Sequence, residues 1–317
     1  MKRTTVLLLV LATTTVAFAL KKDPAYRQAR LKGAQAKMEL HIVDDGGNAV
    51  ADVDVNVFMG MNFRDQGYWI RGRTDTNGVF NVAGKTCGDA IEIYLSKEGY
   101  YDSKKTFRFA TMGAERDVKD GKWQPYGENH SIVLRRVLNP QIVKIGKGKF
   151  VLTKHLNRWL GFDIQRHDFV RPYGTGETAD FEVMIEWNGK WLPDYTGMGV
   201  RIRFAAPYSE YYEQDIHSVS KFKGPYAADT EKTFRQAATF DEQIDASLNR
   251  IQHHLDERKC WVVRSRCKID EDGKLISANY SVVHKINFCG EPDGKGGFRI
   301  IGAYNPMPND TNLEPKR

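Results

Sequence analysis

Cysteine is scarce in this chain, and none of the four residues, Cys87, Cys260, Cys267 and Cys289, falls in a C-x-x-C unit. That spacing argues against a zinc ribbon and against a thioredoxin-type redox site. A G-x-S-x-G elbow, an H-E-x-x-H pair and a phosphate-cradling G-x-x-x-x-G-K loop are also missing. The commonest hydrolase, zinc-protease and nucleotide-binding signatures are therefore absent, and the sequence calls for no cofactor and no metal. Past the first twenty residues there is no long apolar run, so no later segment is suited to cross a bilayer as a helix.

What is present begins with a leader. Lys2 and Arg3 precede the apolar run Val6 to Val16, and Ala17-Phe18-Ala19 supplies the small-x-small pattern read by signal peptidase. Residues 1–19 read as a secretory signal, since the run is shorter than the roughly 18 residues a spanning helix needs. No cysteine follows the cleavage pattern, which argues against a lipoprotein anchor. The expected product is secreted or periplasmic, without a membrane span, and export disfavours nucleic acid as a partner. Losing Lys2 and Arg3 lowers the formal charge of +7 by two and leaves a basic chain that favours anionic neighbours such as envelope polymers. Hydrophobic content of 41% and charged content of 27% are ordinary for a globular protein and exclude wholesale disorder.

Export also permits disulfides. Cys260 and Cys267 lie seven apart in what reads as one strand, about 23 Å at about 3.3 Å per residue, too far to bridge each other. Cys289 is the better partner for either.

The length after the leader suits about two domains of about 150 residues. Residues 20–36 form a helical or disordered lead. From 37 to 137 the pattern has period two: Met38, Leu40 and Ile42 alternate with Glu39 and His41, Val53, Val55 and Val57 with Asp52, Asp54 and Asn56, and Ile91, Ile93 and Leu95 with Glu92, Tyr94 and Ser96. Further short runs at Trp69 to Arg73, Val79 to Val82, Phe107 to Phe109 and Ile132 to Leu134 bring the count to about seven strands, the signature of a β-sandwich. The stretch TDTNGVF at 74 to 80 reads as a bend. Asp75 and Asn77 bond the local backbone, Gly78 takes positive φ, and Val79 and Phe80 re-enter the core. A calcium loop would need further oxygen ligands and a distal bidentate acid, which are missing.

GNAVADVDVNV, then TDTNGVF, then KEGYY before a closing apolar strand, resembles the carboxypeptidase regulatory-like domain, a transthyretin-like sandwich, over about 100 residues. The resemblance implies an accessory module of an exported protein, a spacer or a binder, and transfers no catalytic residue. The stretch Thr111 to Asn129 departs from the compact family pattern.

From Arg135 to Arg158 the chain carries seven Lys and Arg residues and no acid. The run is either an electrostatic patch or a solvated crossing between domains, and Pro140 with the glycines of IGKGKF favours the crossing. Residues 138–317 then read as a second β-rich domain, with alternation at Phe181 to Trp187 and Val200 to Phe204 and a strong hairpin signal in DEDGK. One interruption reads as a helix over 240 to 257. Phe240, Ile244, Leu248, Ile251 and Leu255 recur at three- and four-residue intervals behind a Thr239–Glu242 capping box. His253 and His254 on that helix would point about 100° apart and would not converge on one metal. Similar blocks, GFDI, DFVRPYGTG and YNPMPNDTNLEP, resemble exported bacterial proteins that pair a regulatory-like domain with a β-rich partner.

Two features bear on function. Glu182 and Glu186 share a strand face but sit about 13 Å apart, outside the roughly 5 to 9.5 Å of glycosidase carboxyls. Aromatics crowd the interval from 187 to 226, and those expected to be exposed, Trp191, Tyr195, Tyr211 and Tyr212, are candidate ligand-binding residues that would stack on a sugar or anchor a protein. Core packing explains the crowding equally well. The sequence thus favours a mainly β, two-domain exported non-catalytic binding or structural protein of the cell envelope, with the first sandwich as spacer and the C-terminal domain as contact surface, and with a glycan or an envelope protein as partner. The alternative is a secreted carbohydrate-active or other hydrolase with its acids on C-terminal loops.

Overall fold

The computed structural model describes residues 24–61, 66–109, 118–146, 150–187, 198–217, 219–242, 256, 258–290 and 295–316. The chain is mainly β, with four sheets and one helix among these residues. It divides into two units. The first comprises residues up to 42 with 49–95 and 105–131, and the second comprises 43–48, 96–104 and 132–317. The leader lies outside the described residues.

The first unit opens with helix α1 (Pro24–Lys32), which occupies the lead. Strands β1 (Ala34–Asp44), β2 (Asp54–Gly60), β3 (Gly67–Arg73), β4 (Val79–Thr86), β5 (Ala90–Ser96), β6 (Ser103–Arg108), β7 (Val118–Lys119), β8 (Lys122–Trp123) and β9 (Glu128–Leu134) follow. They form a sandwich. One sheet runs β4-β1-β8-β7 with β9 also on β1, and the other runs β3-β2-β5-β6. Alternation places Met38, Leu40, Val55, Val57, Ile91 and Ile93 inside, each at most 2% exposed. At TDTNGVF the Asp75 carboxylate accepts the backbone N–H groups of Asn77 at 2.9 Å and Val79 at 2.8 Å. Gly78 has a φ of 72°, and a Cβ there would lie 2.5 Å from the Ile42 carbonyl oxygen. The motif is the bend its residue types require.

The atypical stretch after Thr111 supplies part of the core. Trp123 of β8 is fully buried, donates its indole N–H to the Thr86 carbonyl at 2.9 Å, and meets Tyr26 of α1 edge-on at 5.8 Å. Tyr26 and Arg30 both bond Asp89, at 3.0 and 3.1 Å, which ties the helix to the sandwich.

In the second unit the strands are β10 (Val143–Ile145), β11 (Val151–Thr153), β12 (Leu160–Asp163), β13 (Asp168–Phe169), β14 (Phe181–Trp187), β15 (Met198–Arg203), β16 (Glu210–Asp215), β17 (Ala237–Glu242), β18 (Lys259–Ile269), β19 (Leu275–Gly290) and β20 (Gly296–Tyr304). One sheet runs β10-β20-β19-β18-β16 with β11 also on β20, and the other runs β13-β12-β14-β15-β17. Their facing sides share one core, in which Phe162, Ile202, Trp261, Val263, Phe288 and Phe298 interleave. The far side of the larger sheet is buried too. Tyr212, Cys260, Val262, Tyr280 and Val282 lie there beneath Ala228 and Leu313. DEDGK makes the β18–β19 turn, with Lys274 N–H on the Asp270 carboxylate at 2.7 Å.

Three expectations are corrected. The helix over 240 to 257 begins instead as strand. Thr239, Phe240 and Glu242 pair with Arg201, Val200 and Met198 of β15, so the capping box does not form. An unpaired edge of β15 captures this stretch, and ladder pairing overrides a local helical spacing. Residues 243–255, with His253 and His254, lie outside the described residues.

No disulfide forms among the described residues. Trp261 pairs with Val283 and Lys268 with Ser277, so Cys289 sits about five residues up the strand from the position facing Cys260, and farther still from Cys267. At about 3.4 Å per residue the nearer gap is roughly 17 Å, well beyond disulfide range.

The cationic run is not uniformly solvated. Lys154 is exposed, whereas Arg135 is 2% exposed.

Candidate functional site

Trp69 is 43% exposed, and it sits on the outer face of the β3-β2-β5-β6 sheet. The register of β2 and β3 lays out that face row by row. Gly60 faces Gly67, Phe58 faces Trp69, Asn56 faces Arg71, and Asp54 faces Arg73. The Trp69 ring packs on Phe58 at 5.2 Å and on Tyr94 of β5 at 5.6 Å, tilted by 54° and 53°. Two tilted neighbours hold the indole upright and leave part of its face to solvent, an arrangement that pre-organises a stacking surface. Gly67 makes room for this packing, because a Cβ there would lie 2.7 Å from the Phe58 ring.

Polar groups adjoin the rings. The Arg71 guanidinium stands 5.9 Å from the Trp69 ring centre. Arg73 is paired with Asp54 at 2.8 Å, and the Tyr94 hydroxyl donates to Glu92 at 2.6 Å. Among the described residues no carboxylate pairs with Arg71. On the opposite side of the same strand, Tyr68 closes the sandwich edge. Its hydroxyl donates to the Lys85 carbonyl at 3.1 Å and accepts the Lys85 N–H at 2.9 Å. That anchor fixes the strand carrying Trp69.

This surface was legible and was missed. In β2 the wet positions run Asp54, Asn56, Phe58, and in β5 they run Glu92, Tyr94, Ser96, so alternation puts an aromatic ring on the polar face of two strands. Aromatic density, which is higher between 187 and 226, points elsewhere.

Of the four candidate ligand-binding residues, the two that are described are core residues. Trp191 and Tyr195 lie outside the described residues. Tyr211 and Tyr212 were expected to be exposed, and both are 3% exposed. Tyr211 stacks on Trp261 at 4.0 Å in the intersheet core. Tyr212, on the other face of β16, meets Phe234 edge-on at 5.2 Å, and its hydroxyl accepts the Asp229 N–H at 2.8 Å. Consecutive residues point to opposite faces, and here both faces are covered.

The acids considered for hydrolysis are engaged structurally. Glu182 pairs with Arg203 at 2.5 Å and Glu186 with Arg201 at 2.9 Å, a cross-strand charge ladder on β14 and β15. Asp180 is enclosed by Ser265, Arg266 and the Ile164 N–H. Burial raises the Asp163 pKa, yet the N–H groups of Arg166, Glu177 and Thr178 and the charge of Arg266 outweigh it and leave the carboxyl below its usual range. A general acid at neutral pH needs the opposite shift. No group of three or more metal-ligating side chains occurs among the described residues.

The buried histidines give a pH dependence. Burial lowers the pKa of His167, and burial with the nearby Lys223 lowers that of His284 to about 4. The His284 Nδ1 is buried and unbonded. Such rings stay neutral in the fold while the unfolded chain takes up the proton first, so their stabilisation is present above about pH 6.5 and is lost as pH falls toward 4. The melting temperature should decline through that window, and His284→Phe should flatten the decline. A melting profile recorded from pH 7.5 to 4.5 checks this.

No protein-family model matches the sequence, and no curated protein is similar to it. Solved structures with partial similarity include the 3-chlorocatechol 1,2-dioxygenase of Rhodococcus opacus 1CP, 17% identical with a TM-score of 0.25 over 33% of this chain and 61% of that one. The hydroxyquinol 1,2-dioxygenase of Pseudomonas putida DLL-E4 is 13% identical with a TM-score of 0.24 over 33% and 58%. The catechol 1,2-dioxygenase of Acinetobacter radioresistens is 13% identical with a TM-score of 0.27 over 37% and 56%. The chain spans between about half and two thirds of the length of these proteins. Overlaps at such scores transfer neither fold nor activity.

Proposed function

We propose that the chain is an exported, non-catalytic binding protein of the cell envelope that contacts a sugar polymer through the outer face of its first sandwich. The observation that carries the reading is Trp69, exposed and held between Phe58 and Tyr94, with Asn56 and Arg71 in the next row. A ring face offers apolar area to the C–H side of a sugar, and adjacent amide and guanidinium groups supply donors for its hydroxyls. The leader pattern and the resemblance of 37–137 to a carboxypeptidase regulatory-like module support export and an accessory role. The contact surface is assigned to the first sandwich rather than to the C-terminal domain because Tyr211 and Tyr212 are core residues.

Retention of the full chain on a panel of immobilised polysaccharides tests the reading. Trp69→Ala should reduce retention at least ten-fold with an unchanged circular dichroism spectrum, the loss typical of a central aromatic anchor. Equal retention of the two proteins on every polymer, or release of reducing sugar by the wild type, would overturn it.

A further inference from the structure

We infer that the polymer taken by the Trp69 surface is anionic, a chain whose sugars carry carboxylate or sulfate groups; the inference rests on the sugar-binding reading above. It follows from how charge is distributed along the β2–β3 ladder. The row of Asp54 and Arg73 is self-neutralised by its ion pair. The row between it and the aromatics pairs Asn56 with Arg71, and the described residues give neither side chain a hydrogen-bonding or ionic partner. The guanidinium next to the indole is therefore a cation beside the rings that no described carboxylate pairs with, whereas the Glu92 carboxylate on the same face is held by the Tyr94 hydroxyl. On β6 the exposed Arg108 alternates with Phe107 and Phe109, the inward residues, and so adds positive charge to the same outer face.

Geometry suits the assignment. One ladder row is two residues along the strand, about 7 Å, so a ring stacked on Trp69 has its substituents within reach of the Arg71 fork. Arginine is matched to this task, because its planar guanidinium presents paired N–H donors to the two oxygens of a carboxylate or sulfate. The Asn56 amide across the ladder adds a donor and an acceptor for a neighbouring hydroxyl. A neutral sugar would leave the guanidinium desolvated without a counter-charge, which disfavours it relative to an acidic one.

Affinity electrophoresis of the full chain through gels containing polygalacturonate, dextran sulfate or neutral dextran tests the inference, each gel run at low and at moderate salt. Wild type should be retarded by one or both acidic polymers, with at least five-fold less retardation by dextran and a clear weakening with salt. The carboxylate and sulfate arms identify which anion is preferred. Arg71→Gln should lose the acidic preference at least five-fold, whereas Lys274→Gln, an equal charge change on an exposed turn of the other unit, should not. Equal retardation by dextran, or an Arg71→Gln protein that keeps the acidic preference, overturns the anionic assignment and leaves the sugar reading standing. If Trp69→Ala is retarded like wild type in all three gels, the sugar reading itself falls. Release of the acidic polymer by an equimolar single-stranded oligonucleotide, in preference to added polygalacturonate, would assign the surface to nucleic acid and overturn the inference.

Discussion

Asp180→Ala is expected to lower the melting temperature of the second unit by roughly 6 to 20 °C, equivalent to about 3 to 5 kcal/mol. The Asp180 side chain is fully buried. One oxygen accepts the Ser265 hydroxyl at 2.6 Å and the Arg266 Nε at 3.0 Å, and the other accepts the Ile164 N–H at 2.7 Å. Alanine orphans a buried amide and a buried hydroxyl, each costing about 1 to 3 kcal/mol, and removes one of the two carboxylates that flank the Arg266 guanidinium. Asp163 remains, at 2.7 Å from Arg266, so the cation is not stranded outright and the loss stays in this range. Glu177→Gln provides the contrast. Its pair with Arg166 at 3.1 Å is more than half exposed on both sides, so solvent screening holds the effect to about 0.2 to 1 kcal/mol. Calorimetry of the two variants decides the matter. Equal melting temperatures would mean that the Asp163–Arg266–Asp180 cluster does not hold β12, β14 and β18 together, and the hydrolase alternative would return with two buried acids to place.

The same cluster sets an acid limit. Because the Asp163 pKa is depressed in the fold, its stabilisation is present above the ordinary carboxylate range of about 3.9 and disappears as pH falls below it. The histidine contribution is lost at higher pH, between about 6.5 and 4, so the two can be separated in one titration.

Much of the fold was legible because strands with one wet face write their geometry into the sequence. Val55 and Val57 against Asp54 and Asn56 placed β2, and Asp75 and Gly78 placed the bend before β4, since each residue type answers a local requirement. Legibility failed where both faces are dry. Tyr211 and Tyr212 read as a surface pair because adjacent aromatics on an amphipathic strand leave one ring outside, and nothing local announces that Ala228 and Leu313 return from far along the chain to cover the second face. It failed again at Thr239 to Glu242, where the edge of β15 outweighs a helical spacing that would need its own turns to nucleate. The Trp69 surface was readable in principle, from Phe58 and Tyr94 on polar faces. What no sequence pattern could supply is the β2–β3 register that sets Phe58 opposite Trp69 and Asn56 opposite Arg71.

Arg135→Ala should cost the second unit about 3 to 5 kcal/mol as well, although Arg135 looks in sequence like any other member of its cationic run. Its guanidinium packs against two adjoining rings, 4.2 Å from the centre of Phe222 and 4.1 Å from that of Tyr226, whose own centres are 5.0 Å apart. Its Nη1 donates to the carbonyls of Phe222 and Gly224, and its Nε to Asp45 at 3.2 Å. Two ring contacts at about 0.5 to 2 kcal/mol each, two carbonyls left unbonded and one carboxylate deprived of its cation make up the loss. Arg135→Lys separates charge from shape. An ammonium keeps the attraction to Asp45 but has no planar fork to pack on both rings while reaching two carbonyls, so it should recover less than half of the stability. Lys154→Gln, an exposed change in the same run, should stay within about 0.5 kcal/mol of wild type. Urea unfolding midpoints measure all three. If lysine restores the wild-type midpoint, electrostatic attraction alone fixes the segment, and the ring-packed guanidinium is not what orders residues 43–48 and 219–228 around it.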